Sequence, residues 1–371
     1  MKQEKGLKWV KADLLERFMK DVFKGLGVPP AEAAVCADVL ITADKLGIES
    51  HGVSRLKPIY YDRIKDGILS PRTRFEIVRQ GPAVAVVDGH NGMGHVIGKR
   101  AMELAIRKAR RCGIAMVAVR NSTHYGIAGY HALLAAKAGM IGLTGTNARP
   151  SVAPTFGVEA MMGTNPITFA IPTDEKFPFL LDCATSITQR GKIEVLAKLG
   201  QKMPKGWVIG SRGEAKTDSL AVLNDIIAGT AALVTVGGIG EEMAGYKGYG
   251  YATAVEILSS ALQQGAYMKM LSGRDAKGRK IPYPIGHFFI AIDVAAFTAP
   301  AAFKRTAGAI LRELRASKKM PGARRIYTAG EKEHLALLRA RKKGVPLNEE
   351  TQREVLAMRE ELGLSKYKFP F

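Results

Sequence analysis

A chain of 371 residues is long for one domain and sufficient for two, with ample length to bury a core. Apolar residues at 47% and charged residues at 24% exclude a largely disordered protein. The unusual quantity is charge: 55 Lys and Arg against 34 Asp and Glu give +21, which admits nucleic acid, an anionic membrane or an acidic small molecule as partner and says nothing about fold.

The first seventy residues read as helices. Leu14, Leu15, Phe18, Met19, Val22 and Phe23 recur at three- and four-residue spacing before Gly25, Gly27 and Pro29 close the segment. A second helix is expected at about 31–44 and a third at 55–65, ended by Gly67. After Pro71 the apolar runs 75–78, 83–87, 114–119 and 140–144 read as buried strands, with helices between them at about 98–112 and 126–138. Further strands are expected at 167–171, 179–181 and 288–292, helices at about 217–234 and 247–264, and a Lys/Arg-rich helical segment from 303 onward. Alternating strands and helices predict an α/β layer over 73–302. Helical pieces on either side, 1–72 and 303–371, are expected to pack together as one discontinuous domain.

Cys36, Cys112 and Cys183 stand far apart, with no Cys-x-x-Cys and no Cys/His ligand spacing, so they read as reduced thiols. The N-terminus lacks the apolar core of a secretory signal. The longest uncharged apolar stretch, 226–240, is interrupted by Gly and Thr and falls short of the roughly 20 residues that a bilayer span needs. A cytoplasmic protein without a membrane partner is the expectation.

A glycine-rich stretch follows the 83–87 run, but Asp88, Gly89, His90 and Asn91 precede Gly92, Gly94 and Gly98. A dinucleotide fingerprint would put its first glycine at the strand end, so that pyrophosphate meets a helix N-terminus. The intervening residues favour a wide turn instead, although Arg120 stands where a ribose 2′-phosphate contact would be expected. The segment 49–55, ESHGVSR, brings a hydroxyl, an imidazole and a guanidinium to the mouth of a helix. Arg pairs carboxylates bidentately and His titrates near neutral pH, while an ordinary Ser N-cap and a solvated Arg account for the same residues. The segment 120–126, RNSTHYG, lies between a strand and a helix, where α/β proteins place ligands, and offers His124 as a proton acceptor.

Three more segments follow apolar runs: 146–150 with Asn147 and Arg149, 163–166 with Thr164, and 181–186 with Asp182, Cys183 and Ala184. Their amides, hydroxyls and small residues suit a nicotinamide amide or a ribose, and their clustering within forty residues is what separates them from ordinary turns. His90, His95, His131, His287 and His334 read as structural or surface residues. No pair stands at metal-ligand spacing with a carboxylate, so no metal site is expected.

In this order, SHGVSR, VVDGHNGMGH, AVRNSTHYGIAGY, GTNPITFAIP, DCATS followed by GK, GYKGYGYA, GHFFIAID and TAGEKE resemble the malate/L-lactate dehydrogenase family, which is distinct from the Rossmann-fold malate and lactate dehydrogenases. The match runs from Ser50 to Glu333, and GYKGYGYATAVEIL with IYTAGEKE resembles the archaeal-type malate dehydrogenase branch. The resemblance implies an α/β fold in which a non-Rossmann, mixed-sheet nucleotide-binding domain packs on a helical domain formed by both chain ends, usually in a homodimer. It implies reversible hydride transfer between NAD or NADP and a 2-hydroxy acid: malate first, with lactate, sulfolactate and ureidoglycolate as alternatives.

By position, Ser50 and His51 match the family's active-site Ser-His pair, Arg55 the arginine that holds the substrate carboxylate, and Thr164 a substrate contact. His124 matches the proton acceptor of ureidoglycolate dehydrogenase-like members, and the choice between His51 and His124 is open. His124, Tyr125, Asp182, Cys183, Ala184, Lys247, Tyr327, Thr328, Ala329, Gly330, Glu331 and Lys332 fall at dinucleotide positions, with Asn147 as an added amide. Lys192 stands where imine-reductase relatives carry a catalytic aspartate, which argues against that chemistry; either Lys192 or Arg190 is a candidate for malate's distal carboxylate. The family's PGE motif reads Ala329-Gly330-Glu331 here, and 218–245 is atypical. Thirteen Lys/Arg against three Glu between 302 and 344, and six against one between 99 and 111, locate much of the charge. Aromatic residues are only 7%, with no stacking platform or docking module, so these read as solvated helix faces and nucleic acid is not expected as a partner.

Overall fold

A computed structural model describes residues 6–371. Its centre is a mixed sheet of seven strands in the order Glu76–Gln80, Val84–Asp88, Ile114–Ser122, Ile285–Asp293, Met140–Thr146, Ile167–Ile171 and Phe179–Cys183. Only Val84–Asp88 and Ile114–Ser122 run parallel, and the helix Gly94–Cys112 supplies the crossover that a parallel pair requires. Every other neighbouring pair is antiparallel. This is the α/β mixed sheet of the expectation and not a doubly wound one. Ile285–Asp293 inserts between strands more than 130 residues earlier, and its continuous apolar reading follows from burial on both faces.

The helices Gly94–Cys112 and Ala128–Lys137 cover one face, where Ile97, Met102, Ala105 and Ala135 pack with Val87, Val117, Val119 and Phe289. A second core unites the two chain ends. Of the stripe read from the sequence on the helix Ala12–Gly25, Leu15, Phe18, Met19, Val22 and Phe23 bury with Val345, Leu347, Val355, Met358 and Tyr367, and Leu14 packs half-buried against them. Lys8–Val10 pairs antiparallel with Val345–Leu347, and the Tyr61 hydroxyl donates to Glu361 at 2.6 Å. The helix Pro300–Ala316 is tied elsewhere: Arg312 and Arg315 pair with Glu175 in the turn between two sheet strands.

Three sequence expectations require correction. The helix expected at 55–65 is a π-helical turn, Leu56–Tyr61, followed by a short α-helix, Asp62–Lys65. Pro58 has no N–H to close a narrower turn there. The helix expected at 217–234 stops early: Ser219–Ala228 starts on an Asp218 cap, ends at the left-handed Gly229, and gives way to the strand Ala231–Leu233. Likewise Gly245–Leu258 ends before a single 3-10 turn, Ala261–Gln263. The short strands Val208–Gly210, Ala215–Lys216 and Ala231–Leu233, with the helix Arg190–Lys198, enclose a small separate core around Val152, Ile193, Val208 and Val222 that the sequence reading missed. Among the described residues no helix is long and apolar enough to cross a membrane.

Candidate active site

The turn that carries Ser50, His51 and Arg55 follows the helix Pro30–Lys45 and consists of two 3-10 turns, Glu49–His51 and Val53–Arg55. A buried carboxyl holds it in place, since Asp44 at the end of the helix accepts the Val53 N–H at 2.9 Å. Gly52 is required by space: a Cβ there would overlap the Asp44 carboxyl, its farthest atom only 2.5 Å away. Burial pushes the Asp44 pKa up to about 8, against the Val53 hydrogen bond that lowers it. On this turn Ser50 Oγ lies 2.9 Å from His51 Nδ1. Arg55 donates its Nε–H to the Ser50 carbonyl at 2.5 Å, which fixes the guanidinium plane and leaves its terminal N–H groups for the cavity.

His124 comes from the loop after Ile114–Ser122. That loop is clamped to the start of the helix Gly94–Cys112, where Gly94 donates its N–H to Thr123 Oγ1 at 2.9 Å. A Cβ at Gly94 would stand 2.5 Å from the His124 carbonyl oxygen, so the close approach needs glycine. The glycine stretch is therefore the wide turn of the sequence reading, its helix start occupied by protein. Arg120 is corrected as a ribose-phosphate contact: it pairs with Asp88 at 2.9 Å, and Asp88 also accepts from Asn121 at 2.8 Å and from the His90 N–H at 3.0 Å.

The two imidazoles meet. His51 and His124 stack with ring centroids 5.7 Å apart and planes 20° from parallel. The Tyr60 hydroxyl lies 2.5 Å from His124 Nδ1, and the Gly126 N–H donates to the same nitrogen at 3.3 Å. Burial first, and the Arg55 charge second, hold the His51 pKa down to about 4. Burial lowers His124 as well, aided by His51, His95, Arg55 and Arg63. Both rings are thus neutral at pH 7.

A cavity of about 320 Å³ opens beside them, lined by His51, Arg55, His124, Thr164, Asp182 and Ala184, with Ile59, Gln189, Arg190 and Glu333 among the rest of its wall. Seven residues singled out in the sequence, Arg190 among them, thus converge from five segments. Asp182 is anchored here, accepting the Gly129 N–H at 2.7 Å and the Thr168 hydroxyl at 2.9 Å, while burial raises its pKa. Arg190 lines the cavity with its Nε–H donated to Glu194 at 3.0 Å, and Lys192 does not line it: the Lys192 ammonium lies 4.7 Å over the Trp207 ring.

Other candidates sit apart from the cavity wall. Asn147, expected at a dinucleotide, is fully enclosed; it bonds Glu256 at 3.4 Å and the Ala266 carbonyl at 3.0 Å, and accepts the Gly286 N–H at 2.9 Å. Every polar atom of its amide is spent inside the protein, which corrects that expectation. Tyr125 is buried with its ring stacked 4.3 Å from His287. Cys183 is exposed beside the cavity residues Asp182 and Ala184, and Lys247 is exposed on the helix Gly245–Leu258. Arg149 lies 5.9 Å from the Tyr283 ring, away from the cavity wall. The loop from Tyr327 to Lys332 packs on the edge strand: Ala329 accepts the Leu180 N–H, Glu331 is buried against Arg325, and Glu333 just beyond reaches the cavity. Tyr60, Asp44 and Gln189 were missed in the sequence, because no spacing marks a tyrosine or aspartate that acts through a neighbour.

Residues 10–356 match the model of the malate/L-lactate dehydrogenase family. The chain belongs to that family. It is 46% identical over 335 residues to malate dehydrogenase of Pyrococcus abyssi, covering 90% of each chain. It is 36% identical to L-sulfolactate dehydrogenase of Methanocaldococcus jannaschii, covering 94% of this chain and 96% of the other. Among solved structures, malate dehydrogenase from Entamoeba histolytica superposes with a TM-score of 0.94 at 41% identity, covering 98% of this chain and 100% of that one. The family assignment makes this enzyme a dehydrogenase with a nicotinamide cofactor, acting on a small hydroxy or oxo acid.

Proposed function

We propose that this enzyme interconverts oxaloacetate and malate. One observation carries the reading: two neutral imidazoles and an arginine with free terminal N–H groups face one cavity, with a second arginine, Arg190, on its wall. Oxidising a 2-hydroxy acid requires a base for the hydroxyl proton while hydride leaves the same carbon, and a neutral imidazole is such a base. Arg55 is assigned to the carboxylate next to the reacting carbon, Thr164 to a polar contact, and Arg190 to the distal carboxylate.

The rest of the cavity suits the cofactor. Thr164, Ala184 and Gln189 present no charge. The helix Arg190–Lys198 starts at Gln189 with no side chain capping its first N–H groups, which leaves donors for a phosphate. Asp182, Cys183, Ala184, Lys247 and the loop 327–332 are the residues we assign to holding the dinucleotide, whose nicotinamide ring gives or takes the hydride. NAD and NADP both remain in this assignment. Sulfolactate, with one carboxylate and one sulfonate, is a dianion like malate, and 2-oxo acids with one charge, such as pyruvate, would leave Arg190 unused. We further propose that the enzyme works in the cytoplasm as a homodimer, which would cover exposed apolar side chains such as Leu220, Ile227, Tyr251 and Ile257. A monomer mass in sedimentation would refute the dimer.

The test is a panel of oxaloacetate, sulfopyruvate, pyruvate and the ureidoglycolate oxidation product with NADH and NADPH. Oxaloacetate should give the highest kcat/KM, and preference for a monoanionic acid would overturn the proposal. His51→Ala or His124→Ala should abolish turnover while dinucleotide fluorescence titrations change little. Full activity in both would remove the histidines from the chemistry.

A further inference from the structure

Tyr60 is enclosed at 0% exposure, and among the described residues its hydroxyl has two hydrogen-bond partners, both belonging to His124: Nδ1 at 2.5 Å and the carbonyl oxygen at 3.4 Å. Gly126 donates its backbone N–H to the same Nδ1 at 3.3 Å. A backbone N–H can only donate, so Nδ1 is the nitrogen without a proton, and the Tyr60 O–H points to it as a second donor. Neutral His124 therefore carries its hydrogen on Nε2. His51 is not constrained in this way, because its Nδ1 meets only the Ser50 hydroxyl, which rotates to donate or accept.

The backbone explains how Tyr60 comes to this place. Arg55 and Tyr60 are five residues apart and would stand roughly 140° from each other on an α-helix. The π-turn Leu56–Tyr61, whose wider bonding is seen in the Asp62 N–H reaching the Lys57 carbonyl, brings them back toward one face. The Tyr60 ring is seated between Phe23, at 5.9 Å, and His95, at 4.5 Å.

We infer that Tyr60 is a positioning residue that fixes His124 as its Nε2–H tautomer and lends Nδ1 a proton when Nε2 gives one up. The inference rests on the proposed function and takes His124, of the two imidazoles at the cavity, as the one that meets the substrate oxygen. In the reducing direction a hydride adds to C2, the carbonyl electron pair moves to oxygen, and that oxygen takes the Nε2 proton. As the N–H bond at Nε2 breaks, a new one forms at Nδ1 with the Tyr60 proton, leaving a phenolate and a neutral imidazole. When product leaves, water in the open cavity returns a proton to Nε2, and Nδ1 hands its own back to Tyr60, so the cycle consumes one solvent proton. Burial holds the Tyr60 hydroxyl well above its usual range, Cys36 and Tyr283 add to that and Arg55 and Arg63 oppose it, so the phenolate is a transient that takes its proton back. The relay spares His124 from holding two protons, a state that burial and its cationic neighbours oppose.

The first test is 15N NMR of histidine-labelled wild-type enzyme without substrate, which should show His124 as the Nε2–H tautomer; an Nδ1–H tautomer would overturn the inference whatever the variants do. The second is Tyr60→Phe, which keeps the ring between Phe23 and His95. Its single-turnover rate of NADH or NADPH oxidation by oxaloacetate should fall about 10-fold or more, with KM and the dinucleotide Kd within about twofold of wild type. The rate plotted against D2O fraction should be curved for wild type, reporting two protons in flight, and linear for the variant. An unchanged single-turnover rate and the same curvature would sink the relay. Wild-type enzyme inactive with every 2-oxo acid would instead refute the functional reading, and the tautomer measurement needs no activity.

Discussion

Gly52→Ala probes the claim that the active-site turn is held by close approach to a buried carboxyl. The added Cβ would overlap Asp44, whose farthest carboxyl atom lies 2.5 Å away where ordinary contact begins at 3.4 Å. Asp44 cannot retreat, since it is 5% exposed on the last turn of a helix whose neighbouring Ile41 and Ala43 are fully buried. Overpacking of this kind costs about 1–3 kcal/mol. Breaking the Val53 N–H bond and leaving its two buried groups unpaired adds about 1–3 kcal/mol. The variant should therefore lose about 2–6 kcal/mol in urea unfolding, read as a lower midpoint at constant slope. Because Val53–Arg55 moves with the turn, kcat/KM should fall as well. Adding Asp44→Ala removes the obstacle, so the double variant should be more stable than the two single losses predict, by about 1 kcal/mol or more. Stability within about 0.5 kcal/mol of wild type and an unchanged kcat/KM would refute the reasoning.

The same carboxyl sets a pH dependence. Its pKa of about 8 in the folded protein lies above the unfolded value of roughly 3.9, so the folded state binds the extra proton and stability is lost as pH rises across that window. Asp44→Asn should flatten the curve there by up to about 1.4 kcal/mol per pH unit, and superimposable curves would count against it. Buried histidines act with the opposite sign: burial lowers His95 to about 3, so stability is present above about 6.5 and lost as pH falls through 3, and His95→Phe should make the acid limb of the unfolding midpoint shallower. Arg55→Ala removes a charged hydrogen-bond partner worth about 1.5–3 kcal/mol, so KM for oxaloacetate should rise roughly 10- to 150-fold while dinucleotide affinity holds; an unchanged KM would exclude a carboxylate contact. Arg190→Ala should lower kcat/KM for oxaloacetate more than for pyruvate, whereas Lys192→Ala, whose ammonium lies over Trp207, should leave that ratio unchanged. The reverse pattern would transfer the distal contact to Lys192.

What was legible in the chain followed from local periodicity and from short polar segments after apolar runs. The stripe Leu14, Leu15, Phe18, Met19, Val22 and Phe23 needs only 3.6-residue periodicity to be seen, and all but the half-buried Leu14 are fully enclosed. The glycine stretch 89–98 could be set aside as a phosphate loop from spacing alone, and Asp88 with Arg120 supplies the reason it folds as a wide turn. The helix expected at 217–234 failed at Gly229, whose left-handed backbone ends it; composition could not separate that glycine from one tolerated inside a helix. Asn147 misled because an amide after a strand looks the same whether it meets a ligand or, as here, a buried glutamate. Tyr60 was invisible because its position depends on a π-turn, and Pro58 signals only that an ordinary helix is disturbed, not which residue the disturbance turns inward.

The charge that first admitted nucleic acid finds a different account in the fold. Arg312 and Arg315 from the basic C-terminal segment are spent on Asp174 and Glu175, Arg325 on Glu331, and Arg100 and Lys99 on Glu32 and Glu103. These pairs tie the helix Pro300–Ala316 to the sheet edge, fix the loop before the helix Glu331–Lys343, and join the helix Gly94–Cys112 to the helix Pro30–Lys45. Each pair cancels one positive charge against one negative and leaves the net +21 untouched, so the excess resides on basic side chains outside such pairs. Arg55 and Arg190 line the cavity itself, Arg190 with its Nε–H on Glu194 and its terminal N–H groups left for a doubly negative acid, and the surplus on exposed helices raises the local concentration of such an anion by long-range attraction that added salt weakens.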